Sequence, residues 1–450
     1  LLSDNDPERD RFSQRLARVA QVGAQATGAV AAIGAHRLLR REDSEAQIAR
    51  ALRDALGNTR GPLMKVAQML ATIPDLLPPD LARELQTLQA NAPSMGWSFV
   101  KRRMRAELGA DWEGKFAHFE REAVAAASLG QVHRARDASG RDLAVKLQYP
   151  EMASAVEADL AQLRVLIGLF QRLDKAIDPS EIAVEIGARL REELDYGRER
   201  RAMQLYAQML APRRDIAVPE PVAALSTDRL LTMTWLEGQS ILAFKDRELE
   251  ARNRIADQMF HAWWLPMTAY GVIHGDPHLG NYAAAGDAEA LNLLDFGCIR
   301  IFPPQFVAGV IGLYRALYAN DLDGAAAAYE IWGFRNLSRP LIEALNLWAR
   351  FIYGPLLDDR VRSVADGVSP GEYGRREAFR VRQMLKDLGP VRIPREFVFM
   401  DRAAIGLGAA FLHLGAQLNF HALFEASIAG FDEAALARRQ ADGLAQAGLA

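Results

Sequence analysis

Two short runs bring together the side chains best suited to chemistry on a phosphate. His274-Gly275-Asp276 is followed by Asn281 five residues after the aspartate, and Asp295-Phe296-Gly297 comes directly after the apolar run Leu291-Asn292-Leu293-Leu294. Carboxylates and a carboxamide are hard oxygen donors, the set that Mg2+ prefers. Lys146 sits within Leu143-Ala144-Val145-Lys146-Leu147-Gln148, a strand pattern that would aim its ammonium into a cleft. Phosphoryl transfer asks a protein for positioning rather than covalent chemistry: a cation on the phosphates, oxygen ligands for the metal, and a group that orients the nucleophile. Lys146, the pair Asn281 and Asp295, and Asp276 fill those roles in turn, with ATP and Mg2+ as the cofactors expected.

Each piece alone carries little weight, because a lone strand lysine is usually a surface residue and a lone histidine is usually structural. Their order and spacing match the catalytic and metal-binding loops of a protein-kinase-like fold. A competing reading takes His274, Asp276 and His278 as an H-x-D-x-H metal run of a hydrolase, but it leaves Lys146 and Asn281 without a task.

The elements around these residues fit such a fold. Strand patterns run over 116–120, 130–136 and 143–148, with Ser139-Gly140 as the turn before the last of them, and recur near Ala217-Val218-Pro219 and over 229–233. Helical patterns occupy 152–206, broken at Asp178-Pro179, and most of the chain beyond Gly238. The expected class is α+β: a small antiparallel-sheet N-lobe with extra N-terminal helices, and a large helical C-lobe. The expected division is a helical arm over 1–60, the N-lobe over 61–238 and the C-lobe over 239–450.

Composition narrows the partners. A net charge of −3 on 450 residues offers no concentrated basic face for nucleic acid, so that class is set aside. The single cysteine, Cys298, excludes an internal disulfide and points to a reducing compartment. Acidic residues crowd the first ten positions, unlike a secretory signal. Residues 403–424 are uncharged, yet His413, Gln417, Asn419 and His421 favour a packed helix or helix pair over a membrane span, and no transmembrane segment is expected. The Arg-bearing start, with Arg11, Arg15 and Arg18 at helical spacing, fits either a membrane surface or a docked helix.

Four separated motifs resemble the UbiB/ADCK (AarF-like) family of atypical kinases. They are Lys65-Val66-Ala67-Gln68, similar to its KxGQ helix; the Ala-rich run Ala125-Ala126-Ala127-Ser128-Leu129-Gly130; Glu193-Leu194-Asp195 with Glu199; and the two loops at 274–281 and 295–297. The resemblance implies that Lys146 pairs with Glu199 while holding the α/β-phosphates, and that Asp276 is the catalytic-loop carboxylate. It implies that Ala125, Ala126, Ala127 and Ser128 replace a Gly-rich phosphate loop. Met233 would line the adenine pocket, with Thr234 to Leu236 as hinge. Lys65 and Gln68 would belong to a regulatory helix covering the cleft, Lys65 reaching Glu193 and Asp195.

The function implied is an atypical kinase or ATPase that binds MgATP, does not phosphorylate proteins in trans, and supports ubiquinone biosynthesis or polyprenyl-lipid handling. Beyond ATP and ADP, the partners implied are a membrane surface, polyprenyl or quinone-precursor lipids, other quinone-biosynthesis proteins and a second copy of the chain. The location implied is the cytoplasmic side of an inner membrane or a matrix-like compartment, with peripheral attachment. Ala67 departs from the Gly of KxGQ, and Leu279 from the Pro usual after His278. Two alternatives stay open: a small-molecule kinase of the aminoglycoside- or choline-phosphotransferase type, which shares the HGD and Asn pattern, and a nucleotide-dependent scaffold with little turnover.

Overall fold

The computed structural model describes residues 94–126, 129–157, 180–365 and 394–450, with a few single positions between them. The arm over 1–60, Lys65 and Gln68, and Ala127 and Ser128 lie outside the described residues. The chain separates into two units. Described residues up to Gly197 join Val222–Thr234 in the first; Arg198–Pro221 joins Trp235–Ala450 in the second.

In the first unit, α1 (Trp97–Leu108) ends at Gly109, whose φ of 93° suits glycine. Phe99, Val100 and Met104 recur at helical spacing and pack on Trp112, Leu143, Val145 and Leu147. The same stripe carries Arg103, and a buried charge is tolerable only when paired. Its Nε donates to Gln148 O at 3.1 Å, its Nη2 to Tyr149 O at 3.3 Å and its Nη1 to Glu107 Oε1 at 3.0 Å. Glu107 in turn accepts from Thr227 Oγ1 at 2.7 Å, so one guanidinium ties α1 to two loops at the sheet's end.

The sheet is built from β1 (His118–Phe119), β2 (Ala125–Ala126), β3 (Gly130–Arg136) and β4 (Asp142–Gln148). After α2 (Ser180–Glu193), α3 (Tyr196–Leu210) and β5 (Ile216–Ala217), the strand β6 (Leu230–Thr234) completes it. The order is β1-β3-β4-β6 with β2 on β3, every pairing antiparallel. The β3–β4 turn forms because Asp137 Oδ1 accepts from the Ser139 and Arg141 amides, while Gly140 takes a φ of 87°. The strand read over 116–120 is only two residues long here, since Trp112–Lys115 coils into a 3-10 turn just before it.

The second unit contains β7 (Gln239–Ser240), α4 (Leu249–Tyr270), β8 (Val272–His274), β9 (Tyr282–Ala285), β10 (Ala290–Leu293) and β11 (Ile299–Ile301). The helices α5 (Pro304–Ala319), α6 (Leu322–Ile331), α7 (Arg339–Tyr353), α8 (Arg395–Leu414), α9 (Phe420–Ile428) and α10 (Glu433–Ala447) follow. One small sheet has the order β5-β10-β9-β7, with β5 parallel to β10; β8 and β11 form a two-stranded ribbon. The uncharged run over 403–424 is a helix pair, divided where Gly415 takes a left-handed φ of 58°. Among the described residues no helix is long and apolar enough to cross a membrane.

Candidate nucleotide and metal site

The loop that carries His274 starts from a forced turn. Gly271 ends α4 with a φ of 65°, and a Cβ there would lie 2.8 Å from Phe302 O and 2.6 Å from Gln440 Nε2. The chain therefore reverses into β8, and His274 pairs with Ile299 across the ribbon.

Three hydrogen bonds staple the loop at 274–281 to the segment at 294–298. The Gly275 amide donates to Cys298 O at 2.7 Å, and the Leu294 amide donates to Asn281 O at 2.9 Å. Between them His274 Nε2 lies 2.8 Å from Asp295 O. A carbonyl can only accept, so His274 carries its proton on Nε2 and uses Nδ1 to accept from the Asp276 amide at 3.2 Å. The Asp276 carbonyl accepts from the His278 amide and from Asn281 Nδ2, both at 2.8 Å. With its NH2 committed there, Asn281 turns its amide oxygen away from that carbonyl. Asp295 Oδ1 accepts from the Gly297 amide at 3.0 Å, a local turn that orients the carboxylate.

Packing holds the same residues from behind. Phe296 is fully buried, its ring 5.5 Å from that of Tyr206 on α3, and Tyr206 meets the His274 ring edge-on. Burial raises the phenols of Tyr206 and Tyr282 well above their ordinary value, so both remain neutral supports. Arg402 on α8 brings Nη2 to 3.9 Å from Asp276 Oδ1. A Cβ on Gly406, one turn later, would come within 2.9 Å of Pro277 Cγ, so α8 lies close against the loop.

Sequence reasoning missed Tyr206 and Arg402. Tyr206 had a signal, lying seven residues from Glu199 and thus on the same helix face. Arg402 had none, being separated from Asp276 by more than a hundred residues.

Asp276, Asn281 and Asp295 thus come together in the second unit, where Glu199 is also buried, at 2 % exposure in the first turn of α3. Leu236 belongs to that unit too. The other expected site residues that are described fall in the first unit. Lys146 lies on β4 between buried Val145 and Leu147, its Nζ 5.1 Å above the Tyr196 ring, a cation–π contact. Met233 is buried on β6 opposite Ala144, with Thr234 beside it. Ala125 and Ala126 are exposed on β2, and Glu193 and Asp195 are half-buried between α2 and α3.

The donors gathered at 276–295 are oxygen-rich, which fits Mg2+. The H-x-D-x-H reading fits less well. His274 spends both ring nitrogens on the backbone, and His278 Nδ1 accepts from the Gly280 amide at 3.1 Å. Among the described residues no group of three or more His, Cys, Asp or Glu side chains is gathered as for a metal.

The antiparallel sheet of the first unit and the helices and paired loops of the second are those of a kinase-like fold. The solved complex of Rv3197 with erythromycin, from Mycobacterium tuberculosis, is similar to this chain with a TM-score of 0.58 and 26% identity, over 86% of this chain and 96% of that one. Residues 87–329 match the model of the ABC1 atypical kinase-like domain. The atypical kinase COQ8, mitochondrial, of Saccharomyces cerevisiae is 31% identical over 267 residues, 59% of this chain and 53% of the relative. The atypical kinase COQ8B, mitochondrial, of Rattus norvegicus is 29% identical over 336 residues, 72% of this chain and 63% of the relative. The chain belongs to the ABC1 atypical kinase-like family, that of the UbiB/ADCK proteins. It spans about half the length of the yeast relative.

Proposed function

We propose that this chain is a UbiB-type atypical kinase or ATPase that binds MgATP and supports ubiquinone biosynthesis or polyprenyl-lipid handling at a membrane surface. In this reading Asn281 and Asp295 hold Mg2+, Asp276 orients the attacking group, and Lys146, paired with Glu199, holds the α/β-phosphates. Ala125 to Ser128 cover the phosphates, Met233 contacts adenine, and Thr234 to Leu236 form the hinge. Lys65 and Gln68 cover the cleft and engage Glu193 and Asp195. When bound, the metal supplies charge neutralisation on the phosphates; the chain supplies the ligands and their orientation.

The observation that carries the reading is the stapled pair of loops, in which His274 binds the Asp295 backbone while Asn281 binds that of Asp276. Those bonds tie together the backbones that carry the two carboxylates and the amide, and this supports a role in phosphoryl transfer, which asks for preorganisation. A second feature supports the absence of protein phosphorylation in trans. Only Phe302 and Pro303 separate β11 from α5, leaving little chain for a peptide platform.

The test measures ATP hydrolysis with and without cardiolipin-containing liposomes and a phenolic quinone-precursor mimic, on wild type and Asp276→Asn. Turnover that rises with the additives and is lost in the variant supports the reading; equal turnover in both proteins refutes the role of Asp276. Thermal shift tests the metal ligands separately. MgATP is expected to stabilise the wild type and not Asp295→Asn, and an unchanged shift would overturn that assignment.

A further inference from the structure

A partly open cavity of about 70 Å³ lies within the second unit, lined by none of the residues at 274–281 or 294–298. It is several times the ~10–15 Å³ that one water molecule needs, and about half the ~150 Å³ that takes a benzene ring, so its size suits a small branched group such as an ammonium head. Phe260, Trp263 and Trp264 of α4, Tyr353 of α7, Phe411 of α8 and Phe420 of α9 form much of its wall. Protein interiors are packed closely enough that voids larger than water are few, because each forfeits dispersion contacts.

One carboxyl interrupts this aromatic lining. Asp401 of α8 lines the cavity and accepts a hydrogen bond at Oδ2 from Trp348 Nε1. It keeps some accessible surface, as a side chain facing a cavity does, yet loss of hydration pushes its carboxyl up to about 7. Among the described residues its surroundings supply no countercharge. The ionisable groups that feel its charge are Tyr329 and Tyr353, both held neutral by burial. Their hydroxyls are committed elsewhere, Tyr329 donating to Asn346 Oδ1 at 2.9 Å and Tyr353 to Val310 O at 3.2 Å. The neighbouring Arg402 reaches Asp276 instead. Among the described residues no cationic side chain forms an ion pair with Asp401.

A void and an uncompensated buried carboxyl are each unfavourable, and here they coincide. We propose that this cavity is a binding site for a small organic cation, an amine or quaternary ammonium with an apolar body, held between the aromatic walls and the Asp401 carboxylate. Aromatic surfaces attract such cations through the ring quadrupole. The charges balance: the cation enters, Asp401 releases its proton to water where it carried one, and a neutral ion pair remains. A neutral ligand would satisfy the walls and leave the carboxyl without its countercharge. The proposal does not rest on the nucleotide reading, and its test uses binding rather than turnover.

The test is calorimetric titration of the full chain at pH 8 with trimethylammonium, compared with uncharged isopropanol. The expected result is saturable binding of the cation, weakened at least tenfold by Asp401→Asn, with isopropanol indifferent to that change. The asparagine keeps an oxygen for Trp348 and removes only the charge. Ala404→Leu, which fills the cavity, should abolish binding of the cation and decides the matter if the first variant fails to fold. Absence of saturable binding, equal affinity for the two probes, or cation binding that survives Ala404→Leu would each overturn the proposal.

Discussion

His274→Phe isolates the staple between the two loops. The substitution keeps a ring against Tyr206 and Tyr282 but deletes both nitrogens, and with them the bonds to the Asp295 carbonyl and the Asp276 amide. A buried polar group left unpaired costs about 1–3 kcal/mol. Both groups here are only partly enclosed, so the low half of that range applies to each, about 2–4 kcal/mol together. The cost should fall on the local opening of the loops, where it is read as hydrogen exchange. The informative amides are Gly275, which donates to Cys298 O, and Leu294, which donates to Asn281 O, because these bonds flank His274 on either side. At 1.36 kcal/mol per factor of ten, their protection should fall roughly 30- to 900-fold. Amides pairing β3 with β4 in the first unit serve as the control and should not change. A loss of less than threefold at Gly275 and Leu294 would show that the ribbon and the β9–β10 pairing hold the loops without the imidazole, and the staple argument would fail.

Three further outcomes are expected. Gly130→Ala should destabilise the first unit by about 1–3 kcal/mol in urea denaturation, since its Cβ would lie 2.4 Å from Leu147 O and 2.8 Å from Tyr196 Oη, and overpacking costs that much; an unchanged midpoint would refute it. Leu279→Pro should raise Tm modestly, by the equivalent of about 0.4–1 kcal/mol. The site begins the 3-10 turn Leu279–Asn281, and the preceding His278, at φ −71° and ψ 137°, already has the extended backbone that a following proline demands; a lowered Tm would count against that geometry. Asp401 should make the protein less stable as pH rises from 4 to 8. Its folded carboxyl, pushed up to about 7, keeps a proton that the unfolded chain has already released, so rising pH favours unfolding by an amount on the order of 4 kcal/mol at most. Asp401→Asn should remove that slope, and parallel stability curves for variant and wild type would contradict it.

Some of this architecture was legible because it is local. The β3–β4 hairpin follows from Ser139-Gly140 between two alternating runs, and the helix pair beyond residue 394 from polar residues where a membrane span would be apolar. The loops at 274–281 and 294–298 are near neighbours in the chain, and the strands around them close within about thirty residues. Their side-chain types and spacing were therefore a readable pattern. The strand patterns before Gly238 were just as visible, whereas the partners of those strands were not. Arg198–Pro221 joins the second unit and Val222–Thr234 the first, because β5 finds its partner in β10 and β6 finds its partner in β4.

The amino-acid sequence by itself determined the kinds of side chain in the two loops, the strands and helices that carry them, and the family to which they belong. Tertiary structure alone decided what stands behind and beside them: Arg402 against Asp276, Tyr206 between His274 and Phe296, and Asp401 facing an aromatic cavity. The difference has a physical cause. Hydrogen bonding and periodicity act over a few residues and leave a pattern along the chain, whereas burial and charge pairing act through space between segments whose separation in sequence carries no trace of the contact.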